Sequence, residues 1–199
     1  MSDSRSQTTQ TTYIHAPSAQ QTTFAAEPEV LLDRYRVLAR RGNGGFGTVC
    51  TCWDTRLQRR VAIKRMPLLG ASETPGVLAS TVDEALSEAR TACLLAHPNI
   101  VTVHDFEIES NYAYLVMEFV DGLNLSELLA RVEGGYLTYA EAAHMVSSLA
   151  KALQYAHDNG VLHLDIKPTN IMIDRQGTVK LADFGMATLA SAAGYGGAR

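Results

Sequence analysis

His163-Leu164-Asp165-Ile166-Lys167-Pro168-Thr169-Asn170, with Asp183-Phe184-Gly185 thirteen residues further on, is the stretch from which the rest of the chain is read. Its charged and amide side chains crowd a segment with no hydrophobic periodicity, interrupted by Pro168, so it reads as a loop. Ile171 to Ile173 and Val179 to Ala182 follow as a short apolar hairpin. On the other side, Ala140 to Asn159 reads as a long helix. Ala143, Val146, Leu149, Ala150, Leu153 and Ala156 recur at three- and four-residue spacing, which predicts one buried stripe. Gly160 stands where that helix should stop.

Further upstream the pattern changes from helical to strand-like. Tyr35 to Ala39 runs into Gly42-Asn43-Gly44-Gly45-Phe46-Gly47, and Thr48 to Trp53 continues as a second strand, a hairpin across glycines. Val61-Ala62-Ile63-Lys64 is a short apolar strand ending in a charge, and a lysine at the end of a buried strand needs an anionic partner. Pro67 to Thr81 reads as a loop and Val82 to Ala96 as a helix carrying Glu84 and Glu88. Ile100 to Ile108 and Ala113 to Val120 are predicted strands joined across Ser110-Asn111, and Leu125 to Arg131 a short helix. Five strands with one helix, then helices with a small hairpin, give an α+β fold in two lobes.

The glycine run alone is ambiguous. Gly42-x-Gly44-x-x-Gly47 also fits a dinucleotide fingerprint, but that motif opens a helix, whereas Thr48 to Trp53 is β-branched and strand-like. A flexible glycine flap between two strands is the better reading, since glycine lets backbone N–H groups approach phosphate oxygens without a Cβ in the way.

The composition is that of a globular chain: 46% hydrophobic, 19% charged, net charge −4 over 199 residues. No broad positive field points to nucleic acid. Cys50, Cys52 and Cys93 are too few and too uneven for a disulfide framework, which predicts a reducing, cytoplasmic setting; packing rather than metal binding is their expected role. No run approaches the roughly 18 apolar residues of a membrane helix. Residues 1–28, rich in Ser, Thr and Gln, are expected to be a disordered tail.

Taken together, the glycine flap, the Val-Ala-Ile-Lys strand, Glu88, His163-x-Asp165-x-x-x-x-Asn170 and Asp183-Phe184-Gly185 stand in the order and at the intervals of the protein kinase family, which this chain resembles from Tyr35 to about Thr188. The Asp-Ile-Lys-Pro-Thr-Asn form of the loop resembles the serine/threonine type, of bacterial style. The resemblance implies a five-stranded antiparallel N-lobe over residues 29–120 and part of a helical C-lobe over 121–199, with ATP and Mg²⁺ as cofactors and a protein of unknown identity as substrate. It implies that Asp165 accepts the substrate hydroxyl proton and that Lys167 steadies the transferring phosphoryl group. Lys64, paired with Glu88, would grip the α- and β-phosphates, and Asn170 and Asp183 would hold Mg²⁺ through hard oxygen donors. The glycine flap, Gly42 to Gly47, would cover the phosphates. Adenine would lie against Val49, Ala62 and Met172 or Ile173, behind Met117 as gatekeeper, with its edge on the Glu118 carbonyl and the Val120 N–H. His163 and Phe184 are expected to stack as structural residues.

Two departures qualify that expectation. Position 164 is Leu where the family most often carries Arg, so a phosphorylated activation loop would lack its usual bidentate partner. After Gly185 no Ala-Pro-Glu follows, and the helices that family members place beyond it are not in this sequence. On that reading the long helix keeps an uncovered apolar side, and phosphoryl transfer by this chain alone is expected to be compromised. A catalytically silent nucleotide-binding module is therefore one alternative. The other is a small-molecule phosphotransferase of kinase-like fold, against which Asp183-Phe184-Gly185 and Lys167 stand.

Overall fold

The structure, a computed structural model, describes residues 29–44, 47–67 and 93–184. Residues 82–92 of the expected helix, with Glu84 and Glu88, the leader 1–28 and the segment after Phe184 lie outside the described residues, as do Gly45 and Phe46 at the tip of the glycine flap; of the helix's expected end, residues 95 and 96 are not helical.

The N-terminal half is built on one antiparallel sheet. Its strands are β1 (Val30–Leu31), β2 (Tyr35–Gly44), β3 (Gly47–Asp54), β4 (Arg59–Pro67), β5 (Val103–Glu109) and β6 (Tyr112–Glu118), in the order β1-β2-β3-β4-β6-β5. Six strands, not the expected five, make the sheet. The extra one is Val30–Leu31, which folds back on Tyr35 and Arg36 because Leu32 and Asp33 both take left-handed backbone (φ 52° and 49°) and close a tight turn. The start of β5 is also later than predicted. Ile100 instead forms a parallel bridge with Leu181, and the Val101 N–H donates to the Leu181 carbonyl (2.9 Å), so this segment ties the sheet to the C-terminal half.

Alternation of β-branched and apolar residues explains the strands, and the register decides which side chains share a face. Arg41 pairs with Val49, Val49 with Lys64, and Lys64 with Leu115, so these residues form one row across β2, β3, β4 and β6. Gly47 has φ +123°, and a Cβ there would sit 2.2 Å from the Arg65 carbonyl oxygen, so the turn into β3 accepts only glycine. At the far end of the β3–β4 hairpin, Arg34 forks onto buried Asp54 with contacts of 3.0 and 2.7 Å. The N–H groups of Arg56 and Leu57 also donate to Asp54 Oδ1 (3.0 and 3.1 Å). That bidentate pair clamps the start of β2 to the end of β3.

The C-terminal half holds β7 (Gly122–Asn124), α1 (Leu125–Leu129), α2 (Tyr139–Asp158), β8 (Ile171–Asp174) and β9 (Val179–Leu181), the three strands forming a second sheet in sequence order. Both helices open with a capping box, Asn124 with Glu127 and Thr138 with Glu141, each worth about 1 kcal/mol of helix stability. α2 closes with Gly160 at φ +74°. The Val161 N–H reaches back to the Ala156 carbonyl (2.9 Å) and the Gly160 N–H to that of His157 (2.9 Å), the pairing that a glycine in left-handed backbone allows.

The buried face of α2 is rotated from the predicted stripe. Met145, Ser148, Ala152 and Ala156 are buried, Leu149 and Leu153 flank them, and Ala143, Val146 and Ala150 face outward, Val146 being 65% exposed. The rotation follows from what the helix meets. Its inner face packs into a core of Leu95, Ile100, Ile171, Leu181 and Phe184, and small residues there allow close approach to β9. Leu95, Ile100 and Leu181 are fully buried, so a Leu181→Ala truncation should cost about 3 kcal/mol. Among the described residues no helix is long and apolar enough to cross a membrane.

Candidate active site

A cavity of about 290 Å³ opens between the sheet and the C-terminal half. Val49 and Ala62 form its roof, Met172 and Ala182 its floor, and Met117 and Val120 its inner wall. Ala62, Met117, Val120, Met172 and Ala182 also belong to one packed apolar cluster with Val101 and Leu115, so the slot is held by residues from both halves. The predicted adenine-contact set, Val49, Ala62, Met117, Glu118, Val120 and Met172, all lines this single cavity. A largely apolar slot with a few polar groups suits a flat heteroaromatic ring.

The polar end is made by two hydrogen-bonded clusters. In the first, Lys64 Nζ meets Asp183 Oδ2 at 2.8 Å; Lys64 is 6% exposed, so burial of its ammonium is compensated by that carboxylate. Glu88, the expected partner, lies outside the described residues; among those described, Lys64 pairs with Asp183. Asp183 itself takes left-handed backbone (φ +66°), unusual for a residue with a Cβ and a cost normally tolerated where placement of the side chain matters.

In the second cluster, Lys167 Nζ lies 2.7 Å from Asp165 Oδ2, and the Asn170 amide donates to the same oxygen (3.1 Å) and to the Asp165 carbonyl (2.9 Å). Burial alone pushes the Asp165 carboxyl up. The Lys167 hydrogen bond and charge, with the Asn170 amide, outweigh it and hold the group below the usual aspartate range, so it is ionised at neutral pH. Pro168–Asn170 forms one turn of 3₁₀ helix, which turns Asn170 back beneath Asp165.

His163 connects the clusters. Its ring is buried. Nε2–H donates to the Ala182 carbonyl at 2.8 Å, while Nδ1 accepts the Asp165 N–H at 3.2 Å. Burial lowers the imidazole's pKa, and both ring nitrogens are satisfied by the neutral form. Phe184 stacks edge-on against the ring with centroids 4.6 Å apart. The Ala182 N–H in turn donates to the Asn170 carbonyl (2.8 Å), so the peptide before Asp183 is pinned on both sides to the loop that carries Asp165.

The residues also fit a hard divalent cation. With the Asn170 amide nitrogen engaged on Asp165, its Oδ1 is the group left to act as a ligand, and Asp183 adds a carboxylate; both line the cavity. No group of three or more His, Cys, Asp or Glu that could form a closed metal cage occurs among the described residues. Mg²⁺ matches such a sparse set, because it retains waters and takes further oxygens from phosphates.

Sequence reasoning missed three features. Glu118 was assigned only a backbone role, yet its carboxylate accepts from Lys180 Nζ (2.8 Å) and the Thr102 N–H (3.1 Å), linking β6 to β9. Nothing local signals this pair, since the partners are 62 positions apart. Asn124 and Glu127 line the cavity mouth, and their capping-box spacing was legible. Arg41 also lines the cavity, hidden in the sequence by its place in a run of arginines. Of the flap, β2 and β3 carry Gly42, Asn43, Gly44 and Gly47 as backbone.

Comparison with known proteins agrees with this architecture. The family model described as "Protein kinase domain" matches residues 35–195. The serine/threonine-protein kinase PrkC of Bacillus subtilis is 37% identical over 79% of this chain and 23% of its own length. Serine/threonine-protein kinase PknA of Mycobacterium tuberculosis is 39% identical over 82% of this chain and 37% of its own. A probable serine/threonine-protein kinase PknB of Corynebacterium glutamicum is 39% identical over 79% of the chain and 24% of its own. The chain thus spans between about a quarter and a little over a third of the length of these relatives. With a family model matching most of its residues and relatives of serine/threonine type at these identities, the chain belongs to the protein kinase family.

Proposed function

We propose that this chain carries the nucleotide site and catalytic loop of a serine/threonine protein kinase, residues 29–120 forming the N-lobe and 121–199 part of the C-lobe. The reaction is transfer of the γ-phosphoryl group of ATP to a serine or threonine hydroxyl of a protein. One observation carries this reading: Lys64, Asp165, Lys167, Asn170 and Asp183 converge in two linked clusters at the polar end of an apolar slot.

Each group has a task that its surroundings support. Lys64, held by its strand and by Asp183, supplies a buried cation for the α- and β-phosphates. With Asp165 Oδ2 taken by Lys167 and Asn170, Oδ1 is the oxygen left to accept the substrate hydroxyl proton, and the depressed pKa keeps it ionised to do so. Lys167 is close enough to Asp165 to balance charge on the phosphoryl group in transit. Asn170 and Asp183 would hold Mg²⁺, which when bound neutralises phosphate charge. The Val120 N–H donates to no carbonyl among the described residues and is left for the base edge. Use of ATP implies a cytoplasmic location for this segment.

The test is incubation of the full-length kinase that contains this segment with γ-labelled ATP and a serine-containing protein, with and without Mg²⁺. Label transfer that requires Mg²⁺ and is lost in Asp165→Asn is expected. Tight Mg-ATP binding with no transfer under any condition would replace this reading with that of a silent nucleotide-binding module.

A further inference from the structure

Glu118 and Lys180 form an ion pair to which the site described above gives no task. Glu118 ends β6, and its side chain leaves the strand on the face opposite to Met117, which sets the carboxylate at the back of the slot. Lys180 stands directly across from Met172 in the β8–β9 register and two residues before Ala182, so it shares the face that forms the slot's floor. Glu118 Oε1 accepts from Lys180 Nζ at 2.8 Å and from the Thr102 N–H at 3.1 Å. The Glu118 N–H in return donates to the Thr102 carbonyl at 2.9 Å. The two side chains are 25% and 17% exposed, so this pair is shielded from the screening that weakens a surface pair.

These contacts meet where the two halves join. Among the described residues the chain passes between the halves at 100–102 and again at 118–122. Thr102 lies on the first crossing and Glu118 opens the second, so one carboxylate ties both crossings to β9. Lys64 and Asp183 join the halves at one end of the slot, and Lys180 and Glu118 join them at the back of the other. On the reading proposed above, a flat base must fit between the roof of Val49 and Ala62 and the floor of Met172 and Ala182. Contact on both ring faces is sensitive to the height of that gap, since a gap wider by roughly 0.5–1 Å forfeits a quarter to a half of the attraction at each contact. We propose that Lys180 is a positioning residue for the nucleotide: without touching it, Lys180 holds the Glu118 carboxylate and so fixes the height of the slot between the β3–β4 roof and the β8–β9 floor.

The experiment uses the full-length kinase that contains this segment, as the natural protein, Lys180→Met, Lys180→Arg, Glu118→Gln and the double variant Glu118→Gln with Lys180→Met. Calorimetry gives Kd for adenosine and for Mg-ATP, and initial rates with labelled ATP give KM and kcat. Lys180→Met keeps the stem and removes the cation. It is expected to raise Kd for both ligands by the same factor, roughly three- to tenfold, because only the fit of the base changes. KM for ATP should rise with it while kcat stays within about twofold, the mark of lost binding that is equal in ground and transition states. Lys180→Arg, which keeps the charge, should recover most of the affinity. Glu118→Gln still accepts the Thr102 N–H and loses only the charge, so it should match Lys180→Met, and the double variant should be no worse than either. Should Lys180→Met not fold, Glu118→Gln and Lys180→Arg carry the same test. Unchanged Kd and KM would overturn the proposal, leaving a pair that only supports the fold. A fall in kcat at constant KM, a rate above that of the natural protein, or losses that add in the double variant would overturn it as well. Failure of the natural protein to bind adenosine at all would instead overturn the nucleotide reading on which the proposal rests.

Discussion

Lys64 and Asp183 lie 119 positions apart in the chain and are joined by a 2.8 Å hydrogen-bonded ion pair at the polar end of the cavity. The pair connects β4 of the N-terminal sheet to the second residue after β9, so one contact bridges the two halves where a nucleotide's phosphates would lie. A buried ammonium without this carboxylate would be strongly disfavoured. The pair also couples the proposed phosphate-binding lysine to a proposed metal ligand.

From this pairing we predict that Lys64→Met lowers phosphoryl transfer at least tenfold. Met preserves most of the stem's packing under β3 but leaves Asp183 without its cation. Initial rates with labelled ATP measure the effect. Full activity in the variant would remove Lys64 from the mechanism.

Leu164 leads to a regulatory prediction. It follows His163 in left-handed backbone (φ +59°) and is 70% exposed, an aliphatic side chain presented to solvent beside the catalytic loop. It can make no charge-assisted contact with a phosphate. We predict that phosphatase treatment leaves activity within about twofold, since phosphate at Thr188, Ser191 or Tyr195 finds no arginine at position 164. A collapse of activity that Thr188→Ala reproduces would contradict this.

A third prediction concerns acid stability. The hydrogen bond from Arg34, acting against burial and aided by the Arg56 and Leu57 N–H groups, lowers the Asp54 pKa to about 2, from an ordinary 3.8. The unfolded chain therefore binds the extra proton first. The stabilisation is fully present above pH 3.8 and is lost as pH falls through about 2. Asp54→Ala should destabilise the N-terminal sheet by about 2 to 3 kcal/mol, because it strands a half-buried guanidinium and two N–H groups. Denaturant unfolding at pH 7 and at pH 2 checks both statements: the difference between natural protein and variant should shrink at the lower pH.

Local chemistry made most of the fold legible. β-branched alternation marked β3, β4 and β6, Gly160 marked the end of α2, and the ordered motifs pointed to one site. What stayed hidden was set by tertiary contact. Val30–Leu31 is too short to show periodicity, and only the paired left-handed residues Leu32 and Asp33 make it a strand. The stripe on α2 was misplaced by a fraction of a turn because alanines and a serine, chosen for close approach to β9, weigh little in a hydrophobic pattern. Asp165, Asn170 and Asp183 could be picked out through the resemblance of their motifs to those of the protein kinase family. The bracket around His163, which fixes their relative placement through the Ala182 carbonyl and the Asp165 N–H, depends on backbone geometry that no spacing reveals.

The most direct test of the central claim compares Asp165→Asn with Asp183→Asn by two readings on the same preparations: Mg-ATP affinity by calorimetry and transfer of labelled phosphate. Asp165 is proposed to act on the hydroxyl and Asp183 on the metal. Asp165→Asn should therefore abolish transfer while leaving Kd for Mg-ATP within about threefold. Asp183→Asn should weaken Mg-ATP binding at least tenfold by removing a charged ligand. Loss of binding in Asp165→Asn with normal binding in Asp183→Asn would contradict the account.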